Sequence, residues 1–111
     1  MASKKQRGEG MWCLTMFDLP TKTLANKRAY REFRDYLLDI GFVKVQYSVY
    51  AKYSPSGMTG SRTVLAVKSA LPPGGEVRIV TITDNQWAKA FRFRNGAVEN
   101  QEETPEQLLI F

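Results

Sequence analysis

Residues 43–53, Val43-Lys-Val-Gln-Tyr-Ser-Val-Tyr-Ala-Lys-Tyr53, alternate strictly and decide the fold class. Val43, Val45, Tyr47, Val49, Ala51 and Tyr53 fall on one side. Lys44, Gln46, Ser48, Tyr50 and Lys52 fall on the other. A period of two is the signature of a strand with one face on a core and one polar face. Eleven residues are long for one strand, so the segment bends midway or divides into two.

Upstream lies the clearest helix, Thr23 to Ile40. Tyr30, Phe33, Leu37 and Ile40 form one apolar stripe at helical spacing. Thr23 or Asn26 caps its start, and Gly41 stands where a left-handed residue ends a helix. Before it, MWCLTMFD (11–18) reads as a strand buried on both faces. Leu19-Pro20 stops that strand because Pro20 has no N–H to give to a ladder, so Asp18 is delivered to the sheet's edge. Downstream, Ser54-Pro-Ser-Gly57 is a turn, a weaker helix runs to about Ala70, and Leu71-Pro-Pro-Gly-Gly75 ends it. EVRIVTIT (76–83) is a β-branched strand, and a helical turn follows around Asp84 to Ala90. Phe91-Arg-Phe-Arg, Asn95-Gly96 and Ala97-Val98 read as a hairpin, since Asn-Gly favours the two-residue turn. Strand, helix, strand, helix, strand predicts an α+β sandwich of ferredoxin-like type (βαββαβ) with an extra C-terminal hairpin or strand. The expected division is a flexible basic arm (1–10), the ferredoxin-like domain (11–94) and a C-terminal extension (95–111). In that extension, residues 99–106 are acidic and polar. Leu108, Leu109, Ile110 and Phe111 need something to pair with, in this chain or a partner, and a terminal strand is the simplest solution.

The 111 residues bound the function further. One small domain has room for a single site. No apolar run is long enough to span a bilayer and the start lacks a signal peptide's apolar core, so a cytoplasmic protein without membrane contact is expected. Histidine is absent, which excludes His-based acid/base and nucleophile systems and most zinc sites. The lone Cys13 has no internal disulfide partner and reads as a small buried hydrophobe. Sixteen basic and eleven acidic residues give +5. Residues 1–56 hold the whole excess, with ten basic and five acidic groups against six of each in 57–111. That imbalance points to phosphates, most often those of nucleic acid.

Phe17-Asp-Leu-Pro20, the helix segment 27–34 (KRAYREFR), Ile40-Gly-Phe42, the segment 45–50 (VQYSVY) and residues 77–83 (VRIVTIT) together resemble the CRISPR-associated adaptation protein family Cas2, in the form found beside single-protein effectors. The resemblance covers about residues 11–94 and omits the arm and the acidic segment. It implies a ferredoxin-like homodimer placed between dimers of the integrase Cas1, in an assembly that captures short duplex DNA and inserts it as a spacer. It also implies metal-dependent endonuclease activity on RNA or DNA, with the first-strand Asp, here Asp18, binding magnesium and serving catalysis.

Each residue keeps a plainer alternative. Asp18 either binds a cation, which takes oxygen ligands, or caps the following turn. Two copies of Asp18 in a two-fold dimer would double the charge. Lys27, Arg28, Arg31 and Arg34 either contact phosphate or form a solvated face paired with Glu32 and Asp35. Ser48 and Tyr50 bond a phosphate or a metal-bound water, or line a dimer interface. Arg78, Arg92 and Arg94 are a secondary basic set, as is the arm with Lys4, Lys5 and Arg7. Trp12 and Trp87 are expected in the core. An RNA-recognition module of similar element order needs glycine-flanked aromatics on a central strand, and no segment supplies them.

Overall fold

The computed structural model describes residues 10–56 and 60–98. Its elements run β1 (Met11–Asp18), α1 (Leu24–Asp39), β2 (Val43–Gln46), β3 (Val49–Ser54), α2 (Gly60–Ser69), β4 (Glu76–Thr83), α3 (Asp84–Ala88), β5 (Phe93–Arg94) and β6 (Ala97–Val98). The main sheet has the order β2-β3-β1-β4, every pairing antiparallel, and β5-β6 is a separate hairpin. This is the ferredoxin-like βαββαβ arrangement with a C-terminal hairpin.

Local chemistry sets the boundaries. Thr23 and Asn26 cap α1 together, each side chain accepting from the other's backbone N–H. Gly41 ends the helix at φ 104°, a conformation a Cβ disfavours. The hairpin turn Asn95-Gly96 has φ 53° and 81°, the paired left-handed residues that match strand twist.

The core lies between the sheet and the two long helices. Cys13 and Phe17 from β1, Phe33 and Leu37 from α1, Val67 from α2, and Leu19, Phe42 and Tyr50 form one buried cluster. Tyr30, Ile40, Val64, Val77 and Ile79 pack against it. The α1 stripe thus faces inward as its spacing requires. Burial raises the Cys13 thiol above its ordinary pKa, while Thr15 and Lys52 act weakly the other way, so it stays a thiol.

Two expectations are corrected. The 43–53 segment divides at Tyr47-Ser48 into a hairpin, one of the two outcomes its length implied, but its valine side is not the core side. Val43 is 56% exposed, whereas Tyr50, expected on a polar face, is 3% exposed beneath the helices. The Tyr50 ring packs on Phe17 in the helix-facing layer, and the valines and Tyr53 fall on the sheet's other face. Trp12 and Trp87 also miss the core. They stack on that other face at 5.1 Å, Trp12 meets Tyr53 at 5.2 Å, and the Trp12 indole N–H donates to Asp84 Oδ1 at 2.8 Å. The expectations for the arm, for residues 99–106 and for Leu108, Leu109, Ile110 and Phe111 lie outside the described residues.

Gly75 sits at φ 77°, and a Cβ there would run into the Asp18 carbonyl and approach Leu19 Cα at 2.9 Å. Gly75→Ala should therefore cost about 1–3 kcal/mol, read from the denaturant midpoint. Gly74→Ala, whose Cβ would meet Pro20 only at ordinary contact distance, should stay within about 0.5 kcal/mol of the parent.

Candidate nucleic-acid interface

Asp18 leaves the carboxyl end of β1 with its side chain exposed, opposite Glu76 in the β1–β4 register. Glu76 is paired with Arg78 at 3.0 Å, on a surface where such a pair adds little stability. Among the described residues no group of three or more Asp, Glu, Cys or His is arranged to hold a metal ion. Oxygen donors are nonetheless what a hard cation requires, and each chain offers one first-strand carboxylate.

On its other flank Asp18 borders a cleft of about 380 Å³ lined with Phe17, Leu19, Thr21, Tyr30, Tyr47 and Ser48. The backbone turns sharply there, with Ser48 at φ 61°, a conformation side chains rarely adopt. Three contacts hold it. The Phe17 N–H donates to the Ser48 carbonyl at 3.1 Å. The buried Ser48 hydroxyl and the Tyr30 hydroxyl share a hydrogen bond of 2.8 Å. Tyr47 lies over Tyr30 at 6.1 Å between ring centroids and 22° between planes. Hydrogen bonding with Tyr30 raises the exposed Tyr47 phenol above its ordinary pKa, and Lys44 pulls it down. Ser48 is thus a structural clasp rather than an exposed donor. Tyr50 is withdrawn from the surface, and burial raises its phenol against the opposing pull of Arg34.

Lys27, Arg31 and Arg34 recur at i, i+4 and i+7 along α1, with Arg28 beside them. Lys27, Arg28 and Arg31 are exposed and make no ion pair among the described residues. Arg34 differs. Its Nε and Nη2 both donate to Asp35 Oδ1, at 3.2 and 3.1 Å, so its fork is engaged. In the secondary basic set, Arg78 answers Glu76, while Arg92 and Arg94 line a groove on the open sheet face. That groove, about 520 Å³, runs over Leu14, Met16, Val45 and Val49 to Trp87 and Phe91. The sequence pattern missed the Tyr30–Ser48–Tyr47 clasp, because Tyr-Ser lacks the Gly or Asn that marks a two-residue turn.

A family model described as CRISPR associated protein Cas2 matches residues 11–90. A protein named CRISPR-associated endoribonuclease Cas2 from Paracidovorax avenae is 38% identical over 101 residues, covering 91% of this chain and 94% of that one. The protein of that name from Parvibaculum lavamentivorans is 39% identical over 101 residues, 91% of this chain and 100% of its own. The one from Streptococcus mutans serotype c strain UA159 is 32% identical over 101 residues, covering 91% and 92%.

The clasp is open to a double-mutant cycle. Tyr30→Phe leaves the buried Ser48 hydroxyl unpaired and should cost about 1–3 kcal/mol. Adding Ser48→Ala to Tyr30→Phe should recover part of that loss, with a coupling of at least about 0.5 kcal/mol in denaturant melts. Strict additivity would show that the bond contributes nothing.

Proposed function

Because the chain belongs to the CRISPR-associated Cas2 family, we propose that it is the DNA-binding scaffold of spacer acquisition, a homodimer seated between dimers of the integrase Cas1. The observation that carries this reading is the row Lys27, Arg28 and Arg31, exposed on α1 without carboxylate partners among the described residues. Guanidinium and ammonium groups in a row suit a run of phosphates. A two-fold axis repeats the row, so one duplex can lie across both copies. Phosphate contacts carry no base information, which suits capture of arbitrary invader DNA.

The open sheet face supports the second copy. Val43, Val45, Val80, Phe91 and Phe93 are exposed there or beside it, a contiguous apolar surface of the kind that marks an interface. No helix among the described residues is long and apolar enough to cross a membrane, so that surface is not explained by a helical span.

Magnesium enters through Asp18. Its carboxylate is the residue that would hold the ion, and the Asp18 of a second copy would supply another. When bound, the ion neutralises phosphate charge. The relatives' name, endoribonuclease, would give this ion a hydrolytic role. The scaffold reading places the demand on the cation row instead, since one exposed carboxylate per chain leaves a two-metal clamp incomplete.

Two outcomes test the reading. The triple variant Lys27→Ala, Arg28→Ala, Arg31→Ala should bind a random-sequence duplex more weakly, its salt slope falling by about one unit for each phosphate that it no longer neutralises. Arg34→Ala alone should change that slope little, because Asp35 already engages Arg34. Unchanged affinity and slope in a triple variant that still dimerises would remove α1 from the DNA path. Separately, folded and dimeric Asp18→Asn should still support spacer acquisition in cells carrying the integrase. Loss of acquisition would overturn the scaffold reading.

A further inference from the structure

We propose that Tyr47, backed by Tyr30, is a stacking platform for an unpaired base of single-stranded nucleic acid, held beside Asp18. The proposal rests on the chain being a nucleic-acid binder and adds a site to the duplex surface on α1. Tyr47 is 73% exposed yet fixed in place. One side of its ring lies over Tyr30. Tyr30 is held in turn by its hydroxyl on Ser48 and by its edge-on contact with Phe17 at 5.6 Å. A ring with two rotatable bonds, held on a two-residue turn that is itself pinned, loses little freedom when a base stacks on it.

The surroundings select the ligand. The cleft that Tyr47 borders is of the size that takes a small aromatic ligand. Lys44 is close enough to act on the Tyr47 phenol. Lys27 precedes Tyr30 by three residues on α1, and so lies on its side of the helix. Lys22 follows Thr21 of the cleft wall. Asp18 also lines the cleft. These lysines suit the phosphates of a strand whose base stacks on the Tyr47 ring. A duplex hides its base faces in its own stack, so only an unpaired nucleotide can use this site. Every base has a π-face, so the platform tolerates any sequence.

The test uses the full chain and a short single strand carrying one central 2-aminopurine, in ribose and deoxyribose forms. Its fluorescence should be quenched by the parent and by Tyr47→Phe. Tyr47→Leu keeps an apolar side chain of moderate size but no ring. It should leave the probe bright and bind the strand about tenfold more weakly. Blunt-duplex affinity should be the same for all three proteins. Quenching of either sugar form that depends on the Tyr47 ring upholds the platform. A duplex that binds while the probe stays bright with the parent overturns it, as does equal quenching by Tyr47→Leu. Failure of the parent to bind the duplex strikes instead at the DNA-scaffold reading, and the single-strand arm still decides the platform.

Discussion

Phe17 is the contact on which the rest of the structure depends. Its ring meets Phe33 edge-on at 5.1 Å, Tyr30 edge-on at 5.6 Å and Tyr50 in a stack at 5.7 Å. Those three rings belong to α1 and β3, so one side chain of the central strand fixes both the covering helix and the neighbouring strand. Aromatic pairs of this geometry contribute about 0.5–1.5 kcal/mol each beyond their buried area. Its backbone N–H also holds the Ser48 carbonyl. Moving Phe17 would therefore move the turn that carries Tyr47. The residue that follows is Asp18, so core packing at Phe17 and the pairing with Glu76 in β4 together set where its carboxylate starts.

The fold then separates two chemistries. The helix side carries cations over a closed aromatic core, and the bare side of the sheet carries valines, methionine and phenylalanines. A small domain cannot cover both faces of a four-stranded sheet with two long helices. Here α3 covers one end of the open face, its Trp87 stacked on Trp12, which also meets Tyr53. The remainder exposes Val43, Val45 and Val80 near Arg92 and Arg94, more apolar side chains than a solvent-facing sheet needs.

Much of this was legible in the sequence. Helical spacing of Tyr30, Phe33, Leu37 and Ile40 gave α1 and its inward face. Pro20, Gly41 and Asn95-Gly96 marked boundaries through constraints that belong to those residue types. The alternation in 43–53 gave strand but reversed which side is buried. Period two identifies two faces and does not say which one the helices cover. Tyr50 lies on the side that packs on Phe17 beneath α1, a contact across three elements that no single segment contains. Trp12 and Trp87 were misread for a similar reason, since large aromatics also pack on a sheet face away from the main core. At the candidate site, the place of Asp18 at the end of β1 and of Lys27, Arg28 and Arg31 on α1 could be read directly. The engagement of Arg34 by Asp35 depends on rotamers and could not.

Ser48 shows why the turn beside Asp18 resisted sequence reading. A left-handed conformation in a residue with a side chain costs on the order of 1–2 kcal/mol, and glycine would remove that cost. Glycine would also remove the hydroxyl that holds Tyr30. The Tyr30–Ser48 bond is buried in part, and a hydrogen bond of that kind contributes about 0.5–1.5 kcal/mol net. The two terms are of similar size, so stability alone does not choose between serine and glycine here. What serine adds is placement: it fixes Tyr30, and Tyr30 supports Tyr47 at the rim of the cleft. A local rule broken at nearly neutral cost, beside an exposed ring and a carboxylate, is where sequence propensity fails because a site is being positioned.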